Sequence, residues 1–239
     1  MRRIILRSPY RVRGLSKLTL VFQMYDFYTS LGENCEVAFQ IRRILGFDDS
    51  SFFSWNITTV AAFNALMDGR FGDIMETSNL QFHSESLIRD LKYGYMFHAD
   101  FLCTEDTVFS DFEEGLETQR EKARYLIGKL RRNADSDNRV LYIYKHSGLL
   151  EGSGDGGARF MAEAMLNRLV RFHEGRDNFD FVFVQDEAAR EEDWGVPNLK
   201  NRYLARLATF ADATAGHVQC WDRLFSEFQH VRPLRLSGF

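Results

Sequence analysis

After residue 139 the sequence alternates short apolar runs, rich in β-branched and aromatic residues, with longer stretches whose apolar residues recur at helical spacing. Val140–Tyr144 and Phe179–Val184 read as buried strands, Ala158–Phe172 and Asn198–Ala211 as helices, and His217–Trp221 as a last strand. Strand and helix alternating at this interval imply right-handed βαβ crossovers, and therefore a mainly parallel sheet covered by helices. No other feature restricts the fold as strongly.

The first half carries the same signals less regularly. Tyr25–Leu31 alternates as a strand and ends at Gly32. Val37, Ala38, Ile41, Ile44 and Leu45 then form one helical face, with Asn34 as a suitable N-cap and Gly46 as a stop. Ser51–Trp55 reads as extended, and Thr58–Asp68 as a helix ended by Gly69. Residues 70–95 show no clear period, and Tyr95–Leu102 reads as a strand or a cleft wall. Residues 111–132 form an amphipathic helix, acidic at its start and basic at its end, which suits the helix dipole. The fold expected is α/β: a single domain over residues 24–239 with an open, mainly parallel, Rossmann-like sheet and flanking helices.

Residues 1–23 stand apart. They carry Arg2, Arg3, Arg7, Arg11, Arg13 and Lys17 and no acid. They read either as a basic N-terminal arm or, as expected here, as a segment upstream of a true start at Met24, because the ordered pattern begins at Tyr25.

A chain of 239 residues with 45% hydrophobic residues and 22 Phe is long and apolar enough to bury a full core. A net charge of −4 argues against nucleic acid as a partner. No apolar run reaches the ~18 residues of a membrane span. The three cysteines, Cys35, Cys103 and Cys220, are widely spaced, which fits reduced thiols in the cytoplasm better than a disulfide framework. None has zinc-site spacing to a second ligand, so neither a metal nor a cofactor is expected.

Open parallel sheets bind ligands at the carboxyl ends of their strands. Under that rule Gly32–Cys35, Lys145–His146 and Asp186–Glu187 would face one cleft. Cys35 falls in the first turn of the helix after Gly32, where unpaired N–H groups and the helix dipole favour a thiolate and could hold an oxyanion. The competing reading is a small buried cysteine that fills space beside the sheet.

A nucleophilic thiol needs a base. Of the six histidines, His98 lies among Tyr95, Met96, Phe97 and Phe101, with Asp100 two residues on and able to share its face. His146, at a strand end, is the second choice. Gly152–Gly157 formally matches GxGxxG, but its first glycine comes several residues after the strand and no acidic partner follows at the right distance. It reads as an exposed loop.

The stretch Ser30-Leu-Gly-Glu-Asn-Cys-Glu-Val-Ala-Phe-Gln-Ile-Arg-Arg43, with Phe53-Ser-Trp55 and Phe97-His-Ala-Asp-Phe101, resembles an uncharacterised bacterial family described as papain-like cysteine peptidases. The resemblance covers roughly residues 25–185. It implies Cys35 as nucleophile and His98 as base, with Asp100 nearby; the family often has Asp before the tryptophan, where this chain has Ser54. It also implies a setting in bacterial surface-polysaccharide synthesis.

Two functional expectations follow. One is a cysteine-dependent hydrolase or acyl-transfer enzyme acting on a peptide, glycan or other small molecule. Here Cys35 attacks, His98 is base then acid, Asp100 orients it, and Asn34, Trp55, His146 and Asp186 contact substrate. The alternative is a non-peptidase α/β protein that handles a sugar or nucleotide, with Cys35 structural.

Overall fold

A computed structural model describes residues 23–84, 86–99, 109–148 and 157–237. The chain is a mixed α/β protein. Four strands, β2 (Phe27–Ser30), β7 (Val140–Lys145), β8 (Phe179–Asp186) and β9 (Leu199–Leu204), pair in parallel in that order. A short parallel pair joins β1 (Met24–Tyr25) to β10 (Gln229–His230). A second, antiparallel sheet has the order β3-β6-β5-β4, from Asn56–Ile57, Met96–His98, Leu87–Asp90 and Leu80–Ser84.

The central strands β7 and β8 are mostly apolar because both of their faces are covered. On one face Leu141, Ile143, Val182 and Val184 pack against α1 (Glu36–Leu45) and α5 (Val218–Glu227) through Val37, Ile41, Ile44, Trp221 and Phe225. On the other, Val140, Tyr142, Tyr144, Phe179, Phe181 and Phe183 meet α2 (Val60–Asp68), α3 (Phe109–Asp135) and α4 (Gly157–Phe172). The period-2 alternation of strand side chains thus divides the core into two clusters. Full burial of each aromatic ring contributes roughly 1.5–3 kcal/mol.

Several expected elements are present: the strands at 140 and 179, the helices at 36, 60, 109 and 157, and the strand at 27. Two near the C-terminus are exchanged. Residues 198–211, expected as a helix, contain the edge strand β9, and His217–Trp221, expected as a strand, opens helix α5. Leu199, Tyr203, Leu204 and Leu207 fit a helical face, but backbone pairing with β8 decides the matter. In α5 the apolar series runs on through Leu224 and Phe225, a helical spacing that extends beyond Trp221. Ser51–Trp55, expected to be extended, turns tightly and buries Phe52 and Phe53. Residues 70–95, which show no clear period, contain β4 and β5 of the antiparallel sheet, and Tyr95–Leu102, expected as a strand or a cleft wall, contains β6. Of residues 1–23, read as a basic arm or as a segment upstream of a start at Met24, all but Gln23 lie outside the described residues.

No described helix is long and apolar enough to cross a membrane.

Candidate functional site

The turn after β2 is set by two left-handed residues, Gly32 at φ 105° and Glu33 at φ 60°. A side chain at Gly32 would bring a Cβ within 2.8 Å of Thr58 Cβ, so the position admits only glycine. Glu33 N–H donates to the Thr58 carbonyl at 3.1 Å, and its strained backbone aims the carboxylate at the carboxyl end of β7. There both Glu33 oxygens accept from Ser147 N–H (2.9 and 3.0 Å), and Oε1 also from Ser147 Oγ (2.8 Å).

Asn34 is buried and its Oδ1 accepts from Glu36 N–H at 3.0 Å, a turn that leads into α1, but the N-cap is Cys35 and not Asn34 as expected. Helix α1 begins one residue later than the sequence suggested, so Cys35 is its half-helical boundary residue. It ends at Gly46, in the left-handed conformation, whose N–H donates to the Arg42 carbonyl.

Glu36 and Lys145 are each 0% exposed and bonded to one another, Nζ to Oε2 at 2.9 Å. Lys145 Nζ also donates to the Ala208 carbonyl (2.8 Å), and lies 3.9 Å from Glu33. Glu36 further accepts from Ala208 N–H (3.0 Å) and from the Trp221 indole (2.8 Å). Both carboxylates and the ammonium are therefore satisfied inside the protein, as buried charges require. This closed network joins β2, α1, β7, the 205–217 loop and α5.

Sequence reasoning did not single out Glu33 or Glu36, and took Lys145 only for one wall of a cleft. The signals were present. Lys145 ends an apolar strand and shares a face with Leu141 and Ile143, while Glu36 sits beside the apolar face of α1.

Cys35 lies against this network at 8% exposure, and burial pushes its thiol up to about 11. Desolvation therefore outweighs the stabilisation expected from the helix start. Among the described residues no hydrogen bond joins Cys35 to His98. Half-buried His98 instead stacks on Phe210, with ring centroids 6.4 Å apart and planes at 19°. Asp100, Cys103 and the glycine run up to residue 156 lie outside the described residues.

The shared cleft predicted at the strand ends does not form as expected. Gly32–Cys35 and Lys145 come together, but as a sealed core. Asp186 is exposed and caps the following turn by accepting from Ala188 N–H at 2.8 Å, being separated from β2 by β7. His146 follows β7, with its ring 5.4 Å from that of Phe183.

Trp55 and His98 meet elsewhere, in a cleft of about 400 Å³ between α1, β3, β6 and α3. Its walls include Phe39, Arg42, Asn56, Gln119 and Lys122. The Trp55 ring stands edge-on to Phe39 at 5.1 Å, and its Nε1 donates to Ser50 Oγ at 2.7 Å, which fixes the indole. Buried Asn56 donates Nδ2–H to the Phe52 carbonyl at 2.7 Å. Arg42 and Lys122 are exposed and take part in no ion pair among the described residues. Among the described residues no group of three or more His, Cys, Asp or Glu side chains is placed to hold a metal ion.

No family model, curated protein or solved structure matches this chain, so the resemblance of the Cys35 segment rests on its quoted residues alone.

Proposed function

We propose that this protein binds and processes a sugar- or nucleotide-bearing small molecule in the Trp55–His98 cleft, in the cytoplasm, on a Rossmann-like single-domain scaffold in which Cys35 is structural. The carrying observation is the composition of that cleft: fixed aromatic rings at Phe39, Trp55 and His98 beside two cations, Arg42 and Lys122, that form no ion pair among the described residues. A sugar ring or base stacks on the aromatic faces, and a guanidinium and an ammonium suit phosphate oxygens. Asn56 and Gln119 offer polar contacts for hydroxyl groups. The surface-polysaccharide setting implied by the resemblance agrees with such a ligand.

Thermal unfolding with nucleoside-diphosphate sugars and sugar phosphates tests this. A true ligand at a hundredfold over its Kd stabilises the fold by about 2.7 kcal/mol. Trp55→Ala should cut that gain to about 1.4 kcal/mol or less at the same ligand concentration. Absence of stabilisation by every compound of both classes overturns the reading.

A second reading, a cysteine-dependent hydrolase or acyl-transfer enzyme of papain-like type, is favoured by the position of Cys35 at a helix start after a parallel strand. It requires ionisation of a thiol that burial opposes, and a base that must approach it. It predicts turnover of acyl or peptide substrates that Cys35→Ser abolishes. The sugar-handling reading predicts unaltered ligand binding in that variant.

A further inference from the structure

Among the described residues Cys220, and not Cys35, has a base within hydrogen-bond reach. Cys220 is half-buried in the first turn of α5, and its Sγ lies 2.9 Å from Nδ1 of His217, the residue that precedes the helix. The pair is held rigidly. The His217 carbonyl accepts the amide N–H of Cys220 (3.0 Å) and of Trp221 (3.3 Å), and the buried Trp221 indole is tied to Glu36 at 2.8 Å. The His217 backbone is thus fixed at the start of the helix, with its Nδ1 in contact with the Cys220 sulfur. Three elements of nucleophile activation coincide here: a base in hydrogen-bond contact, the positive end of a helix dipole, and partial solvent access. Cys35 shares only the helix start.

We propose that Cys220 and His217 form a nucleophilic thiol–imidazole pair, a covalent modification site for low-molecular-weight disulfides and other soft electrophiles. With its own proton on Nε2, His217 accepts the thiol proton at Nδ1. The Cys220 sulfur then bonds to one sulfur of the incoming disulfide, whose S–S bond breaks. The departing sulfur leaves with the electron pair and takes the proton held by the imidazole, so a mixed disulfide and one free thiol result. The reactivity is independent of what the Trp55–His98 cleft holds.

The test is site-resolved alkylation of the full chain by iodoacetamide at pH 6.5, followed by peptide mass spectrometry, with N-acetylcysteine as the reference thiol. Cys220 should react about tenfold or more faster than both N-acetylcysteine and Cys35. His217→Asn removes the base while keeping a favourable N-cap for α5, and should bring Cys220 down to the reference rate. Oxidised glutathione should add one glutathione to Cys220, reversibly with dithiothreitol. A Cys220 rate no faster than N-acetylcysteine, or one unchanged in folded His217→Asn protein, overturns the proposal. Should that variant not fold, His217→Gln is read by the same two criteria.

Discussion

The Glu33–Glu36–Lys145 network and the Trp55–His98 cleft both gather charged and polar side chains beside α1, yet they differ in every respect that matters for function. In the network each charge is buried and each has its partners within the protein. Nothing remains to bind a ligand, and α1 is locked to the sheet. In the cleft, rings are fixed by neighbours while Arg42 and Lys122 face solvent and form no ion pair among the described residues. Charge density alone therefore does not distinguish a sealed core network from a surface with bonding capacity left over.

The largest test of this contrast is Lys145→Met. It leaves two carboxylates facing each other in the interior and should cost about 3–5 kcal/mol in urea unfolding. Lys122→Met, in the cleft, should stay within about 0.5 kcal/mol. Equal costs would erase the distinction between the two regions.

A second closed polar group sharpens it through pH. His173, fully buried between Tyr142 (2.9 Å) and Asn178 (2.7 Å), has its pKa lowered from 6.5 to about 4, chiefly because burial disfavours its charged form. The unfolded chain binds a proton near pH 6.5 that the native state refuses until about pH 4. Stability is thus fully present above pH 6.5 and falls as the pH drops through that window, by at most about 1.4 kcal/mol per pH unit. Replacing His173 with Gln should reduce the slope across this window, measured by pH-dependent urea midpoints; the remainder belongs to His230, whose pKa burial also lowers.

Trp55→Ala should reduce ligand affinity about tenfold or more by calorimetry, while costing the unliganded fold less than Lys145→Met does. The smallest effect is expected at the exposed Arg159–Glu163 pair on α4, where Arg159→Ala should change stability by about 0.5 kcal/mol or less.

The parallel strands and most helices were legible because their periods are decided locally: Val140–Lys145 and Phe179–Asp186 are apolar on both faces, and α1, α3 and α4 carry long stripes. The exchange of β9 and the start of α5 was not. Leu199–Leu204 satisfies either period, and only its pairing with β8 chooses between them. The antiparallel strands are short, and Leu80–Ser84 leaves four of its five residues exposed, so it lacks a buried stripe to read. At the site, Trp55 and His98 were expected at different tasks, and that they line one cleft depends on where β3 and β6 pack. The buried ion pair was missed because a charged residue in an apolar run reads as the end of a strand. Its partner, Glu36, lies 109 residues away.

The β1–β10 pairing has a consequence for biosynthesis. Met24 and Tyr25 find their strand partners only at Gln229 and His230, and Val231 N–H closes the tie to the Tyr25 carbonyl at 2.9 Å. Tyr28, next along, donates its hydroxyl to the carbonyl of Phe228. On a translating ribosome the parallel sheet's first strand can pair with β7 long before these residues emerge. Its N-terminal extension must wait until Gln229 and His230 have emerged, long after β7, so the nascent protein exposes that edge to chaperones through the interval.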